Sequence, residues 1–163
     1  MNADLDLLEA RWRIGLITPS DLRGVASDLL NRGVSADSLI ELFSLPVDAA
    51  IWNGSALFER ALTEVGGGQM PEAEAALVVA ADIARGVLSG ALEPSRATAL
   101  AASIHSRTEY RFDDFRRLSF LDDEMSYLDK SGKSYLGRTG AVVAEDVRIE
   151  ARRILGAYAN VPD

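Results

Sequence analysis

Apolar residues recur along this chain at three- and four-residue spacings, and each run is closed by Gly or Pro. Alternation of apolar and polar residues is almost absent. A period near 3.6 buries one face of a helix and cannot line one face of a strand, so the chain is confined to helical folds. Leu22, Val25, Ala26, Leu29 and Leu30 show the pattern most clearly. Ahead of them, Thr18-Pro19-Ser20-Asp21 reads as a helix start, with Thr18 as N-cap, Pro19 in the first turn and Asp21 at the positive end of the dipole. Asn31-Arg32-Gly33 closes the segment, with Gly33 as the expected left-handed cap.

The same punctuation divides the rest. Leu5, Leu8 and Trp12 share a face before Gly15. Ser35 opens a short helix through Leu39, Ile40 and Phe43, which Pro46 breaks. A helix over 48–65 carries Ile51, Phe58, Leu62 and Val65 on one side, weakened at Gly54. Gly66-Gly67-Gly68 forms a flexible loop. Pro71 opens a helix to Leu88 that is apolar nearly all round, as for a helix inside a bundle. After Gly90, Pro94 opens a helix with Ala97, Leu100, Ala101 and Ile104 on one stripe. The segment 108–130 shows no sustained period and is expected to be loop with one or two short helices. Further loop is expected at 131–134 and 137–140. A last helix over 141–155 places Val143, Val147, Ala151 and Ile154 on one side, with Glu145–Arg148 and Glu150–Arg153 as i, i+3 pairs. Gly15 to Ser20 resembles Gly90 to Ser95, each a helix corner rather than a repeat unit. The expectation is one all-α domain over 1–163, a compact multi-helix bundle of six to eight helices.

Composition narrows the function classes. A chain of 163 residues, 48% hydrophobic, can bury a core without a covalent staple. The absence of Cys excludes disulfides, thiolate metal sites and Cys nucleophiles, and fits a reducing cytoplasm. The start, Met1 to Asp6, lacks the basic and apolar regions of a signal peptide, and no apolar run is long enough to span a bilayer. A net charge of −8 disfavours nucleic acid and favours basic partners.

Individual motifs add little chemistry. His105 stands alone, with Glu109 four residues on as a possible helical partner, and reads as structural. Gly132-Lys133-Ser134 resembles the end of a phosphate-binding loop, but Tyr127 occupies the position where its first Gly belongs. Asn53-Gly54-Ser55 fits a glycosylation sequon without a secretory signal. The unusual stretch is 109–129, with seven carboxylates in 21 residues interleaved with Tyr110, Phe112, Phe115 and Tyr127 and with an apolar run from Leu118 to Leu121. Three readings compete for it. Carboxylate pairs can hold Mg²⁺ or activate water, which would make the chain a small metal-dependent enzyme working with His105. Acids beside aromatics can grip a basic protein, here through Tyr110, Asp113, Asp114, Asp122, Asp123, Glu124 and Tyr127. Or the segment is a solvated strap over the bundle.

The pattern from Trp12 to Pro19 with Leu22, the helix–Gly–apolar–Pro run from Ile83 to Pro94, and Phe115-Arg116-Arg117-Leu118 followed by Asp122-Asp123-Glu124 resemble the small all-helical immunity proteins of bacterial toxin systems. That resemblance implies a stoichiometric binder that blocks a toxin domain without chemistry, cofactor or metal. The reading is therefore a cytoplasmic, non-catalytic module with a basic protein partner, no nucleic acid and no membrane. A helical scaffold that forms a homodimer is a further alternative.

Overall fold

The computed structural model describes residues 3–131 and 136–160. Among them are eight α-helices, one 3₁₀ turn and no strand, so the fold is all-α. The helices are α1 (Ala3–Arg13), α2 (Leu22–Asn31), α3 (Asp37–Ser44), α4 (Val47–Glu64), α5 (Glu72–Ser89), α6 (Pro94–Arg107), α7 (Arg116–Ser131) and α8 (Gly140–Tyr158), with the 3₁₀ turn at Asp113–Phe115 before α7. None of the described helices is long and apolar enough to cross a membrane. The chain falls into two compact units, residues 1–75 and 76–163. Gly132-Lys133-Ser134 lies outside the described residues.

In residues 1–75, α2, α3 and α4 pack on one another. Their core holds Leu22, Ala26, Leu29, Leu39, Leu42, Leu57, Phe58, Ala61 and Leu62, and Leu5, Leu8 and Trp12 of α1 pack against it. The Trp12 ring meets Phe58 edge-on, with centroids 5.3 Å apart, while its Nε1–H donates to Glu59 at 2.7 Å. Arg13 grips the same Glu59 carboxylate with two nitrogens, at 2.9 and 2.8 Å. A planar guanidinium holds a carboxylate in this forked way, which ties the end of α1 to α4.

Gly54 does not merely weaken α4. A Cβ there would stand 3.2 Å from Leu42 Cδ1 and 3.3 Å from Leu22 Cδ1. The missing side chain is what lets α2 and α3 approach α4. The loop read as flexible is tied down at its end: Gly67 N–H donates to the Leu62 carbonyl at 2.8 Å, and Met70 N–H donates to the buried Glu9 carboxylate at 2.9 Å.

Two sequence expectations here need correction. Helix α2 begins at Leu22, not Thr18. Thr18 and Asp21 instead close a turn, with Thr18 N–H and Oγ1–H both donating to the Asp21 carboxylate at 2.7 and 2.6 Å. The buried face of α3 is Ser38, Leu39 and Leu42, and Ile40 and Phe43 are exposed. Likewise Ile51 lies outside the buried face of α4. Short helices offer few residues from which to read a phase, so an apolar residue can be counted on the wrong side.

In residues 76–163, α6 packs along α7, and both meet α8. Ala97, Ala101, Ile104, Phe115, Leu118, Leu121, Val143, Val147, Ala151 and Ile154 are buried. Helix α5 is buried on nearly every side, as expected, through Val78, Val79, Ala80, Ala81, Ile83, Ala84 and Val87. The paired helix corners also hold: Gly15 and Gly90 sit at φ +75° and +77°, and the amide two residues on folds back to the preceding helix in each case, Ile17 to Arg11 and Leu92 to Gly86. Helix α7 corrects the expectation of loop at 108–130. Its residues form one continuous helix after the 3₁₀ turn.

The crossing at Gly54 yields a test. Gly54→Val adds a Cβ that would itself press on Leu22 and Leu42, and two methyl groups beyond it. Overpacking of that kind costs about 1–3 kcal/mol, more than the helix gains by losing a glycine. The urea midpoint is expected to fall with an unchanged slope, and a midpoint at or above that of the parent would show that α2 and α3 do not depend on the gap.

Candidate functional site

The stretch 109–129 begins where α6 ends. Thr108 Oγ1–H donates to the Ile104 carbonyl at 2.9 Å and stops the helix. Glu109 and Tyr110 then take φ of +54° and +60°, a left-handed pair that non-glycine residues adopt only under constraint. The turn throws Tyr110 back over α6. Its amide donates to the His105 carbonyl at 2.8 Å, and its ring meets the His105 ring edge-on at 5.0 Å. Glu109 therefore does not sit on a helical turn above His105, because α6 ends at Arg107 before reaching it. His105 is buried as a packing residue under Tyr110, itself exposed.

Along α7 the periodicity that the charges obscured becomes plain. Leu118, Leu121 and Glu124 face inward. Arg116, Phe120, Asp123 and Tyr127, at i, i+4, i+7 and i+11, share the outward face, all of them exposed. Phe120 is 58% exposed and Tyr127 47%. Seven residues of helix set these two aromatics about 10 Å apart along the axis. Arg116 reaches over the Phe120 ring, with Cζ 5.7 Å from the centroid, and lies 3.6 Å from the exposed Asp113 carboxylate. Asp113, Arg116, Arg117 and Phe120 line an open depression at the head of the helix.

The seven residues read as one acidic surface thus have different roles. Tyr110, Asp113, Asp123 and Tyr127 are exposed. Asp122 is half-buried and accepts a hydrogen bond from Thr98 Oγ1 at 3.1 Å, tying α7 to α6. Glu124 is only 5% exposed and is clamped by Arg138, whose Nε lies 3.0 Å from its carboxylate and whose other arm pairs with Asp146 of α8. These carboxylates raise the Arg138 pKa further above its ordinary range. Glu150 of α8, 1% exposed, receives Arg153 at 2.7 Å and Arg117 at 3.5 Å. The sequence placed Glu150 on the charged outer side of α8. The structure turns it inward, with Arg153 wrapped over it.

Asp114, like Asp122, is half-buried. Burial raises its carboxyl pKa above the ordinary 3.8, only partly opposed by its own backbone N–H and by Arg153. Among the described residues no group of three His, Asp or Glu side chains is placed to hold a metal ion. Two exposed aromatics escaped sequence reasoning. Phe120 was counted within an apolar run from Leu118, and only the helical phase of α7 separates it from Leu118 and Leu121. Trp52, 83% exposed on α4, was hidden beside Ile51 in a helix whose stripe was read from other residues.

The raised Asp114 pKa gives a prediction with a definite sign. The folded chain binds this proton more tightly than the unfolded chain does, so the charged form costs stability above the folded pKa, and that cost vanishes as pH falls below 3.8. Asp114→Asn is expected to raise the melting temperature at pH 7 and to leave it unchanged at pH 3. A lower melting temperature at pH 7 would mean that the charge is needed where it stands.

The chain matches no protein-family model, no curated protein and no solved structure. What stands is a small all-helical protein, with no family identified.

Proposed function

We propose that this chain is a non-catalytic binding module that grips a basic protein, as an immunity protein grips a toxin domain. The observation that supports the reading is the outward face of α7, where Phe120 and Tyr127 stand exposed two helical turns apart, with Asp113 and Asp123 beside them. Large aromatics supply contact area at little entropic cost and are favoured as interface anchors, while charges around them steer encounter and set orientation. Helix packing and the clamps on Glu124 and Glu150 hold the inner side of α7 in place. The outer side is thus presented on a rigid support, which lowers the cost of association. A net charge of −8 favours a basic partner over an acidic one.

The carboxylates available for contact are fewer than the seven in the segment, since Glu124 is spent on Arg138. Asp113 and Asp123 remain as the rim. Each exposed charge contributes about 0.2–1 kcal/mol and each aromatic anchor more than about 1 kcal/mol.

The test uses the purified chain as bait in lysate of the source organism at low and high salt. Its control is the triple variant Phe120→Ser, Asp123→Asn, Tyr127→Ser, with helicity checked by circular dichroism. The expected result is one basic protein retained near stoichiometry by the parent, weakened by salt and lost with the variant. When that protein is expressed alone it should arrest growth, and the parent chain should relieve the arrest. Equal capture by parent and variant, or relief without binding, would overturn the proposal.

A further inference from the structure

The acidity of this chain is not spread evenly. Residues 1–75 carry 12 Asp and Glu against 5 Arg and Lys, a net of −7. Residues 76–163 carry 13 against 12, a net of −1. Within the first unit, no Arg or Lys occurs between Arg32 and Arg60, a span that holds Asp37, Glu41, Asp48 and Glu59. The excess of negative charge that would draw a basic molecule therefore belongs to residues 1–75; around α3 and α4 Glu41 and Glu59 face Arg60 and Arg13, Arg23 lies over the Phe43 ring, and Asp37 and Asp48 are the exposed acids in the first turns.

The same span holds an unusual apolar surface. Ile40, Phe43, Val47, Ile51 and Trp52 are all exposed, within thirteen residues around the Leu45-Pro46 corner between α3 and α4. On the first two turns of α4, Val47 and Ile51 form one i, i+4 row and Asp48 and Trp52 the next, so three large apolar side chains and one carboxylate adjoin on a single helical surface. Trp52, at 83% exposed, is the most exposed of the large apolar residues described. The chain's other tryptophan, Trp12, is packed on Phe58 and bonded to Glu59. Among the described residues no ring contact or hydrogen bond of this kind is made by the Trp52 side chain. Nothing in the core requires an indole there, since the buried face of α4 is Ala50, Gly54, Leu57, Phe58, Ala61 and Leu62.

We infer that the α3–α4 corner is a second docking surface, separate from the face of α7, and that its occupant is a basic amphipathic helix of a protein partner. The apolar side of such a helix would cover Val47, Ile51 and Trp52. Its lysines or arginines would meet Asp37 and Asp48, the exposed acids in the first turns of α3 and α4. The charge balance selects this occupant over a second copy of the chain. Two copies would bring together surfaces of the same sign, each belonging to a unit of net −7, at a cost that a basic helix turns into attraction.

The position of Trp52 supplies the readout. The probe is an 18-residue peptide of Leu and Lys in helical period, without tryptophan, paired with the same pattern in Leu and Glu. Addition of the Leu/Lys peptide to the full chain is expected to shift tryptophan emission to the blue and to protect it from iodide quenching, with an affinity that falls as salt rises. The Leu/Glu peptide is expected to do neither. Val47→Ser with Ile51→Ser should weaken binding at least tenfold, and Asp37→Asn with Asp48→Asn several-fold. Both pairs are exposed, so melting should be little changed. The triple variant of α7 should bind the peptide as the parent does, which separates this surface from the function proposed above. Equal affinity of the Leu/Lys peptide for the parent and both corner variants would overturn the inference. So would self-association in sedimentation that the Val47/Ile51 variant abolishes, since the corner would then be covered by a second copy.

Discussion

Three glutamates, Glu9, Glu124 and Glu150, are buried among the described residues, and each is met by arginine. A charge withdrawn from water costs several kcal/mol unless a partner and hydrogen bonds replace its hydration, so each of these carboxylates constrains whatever surrounds it. Glu9 on α1 takes Arg13 from its own helix and the Met70 amide from the far side of the glycine loop. Glu124 in the middle of α7 takes Arg138, which also holds Asp146, so the residues leading into α8 are fastened to both helices. Glu150 takes Arg153 along α8 and Arg117 from the start of α7. In residues 76–163 these pairs set which side of α7 faces α8, and hence which side faces water.

That division changes what the acidic segment can do. Seven carboxylates in a loop would be a diffuse negative strap. In the structure Asp113 and Asp123 stand exposed beside Phe120 and Tyr127, Glu109 is exposed on the turn before them, Asp114 and Asp122 are half-buried, and Glu124 is a buried structural charge. Within the same segment Glu124 and Asp122 bond Arg138 and Thr98, and His105 is packed under Tyr110. The balance of arginine against acid in residues 76–163 also moves the long-range negative field onto residues 1–75.

Much of the helix count was legible because Gly and Pro act on backbone conformation alone. Gly33 and Gly90 have the left-handed φ that their place after a helix predicts, and Pro94 opens α6 as expected. Helix α5 was legible because burial on all sides leaves an all-apolar sequence. Helix α7 was not. Its inward Glu124 and outward Phe120 invert the usual pattern, and the ion pair that makes the inversion affordable lies fourteen residues away at Arg138. The exposed corner at Ile40, Ile51 and Trp52 failed for the complementary reason. Periodicity assigns apolar residues to the core, and an apolar residue kept for a surface looks the same in sequence.

The central claim is that the acids of α7 and α8 divide into inward charges that hold the unit together and outward charges that do not. Thermal melting at neutral pH of two charge-matched double variants tests it most directly. Glu124→Gln with Glu150→Gln removes the inward pair, and Asp113→Asn with Asp123→Asn removes the outward pair. Charged hydrogen bonds of about 1.5–3 kcal/mol each and the usual scaling of melting temperature with chain length predict a fall of at least roughly 6 °C for the first. Exposed charges predict a change within about 2 °C for the second. Equal shifts in the two variants would contradict the division and return the whole segment to a uniformly solvated acidic surface.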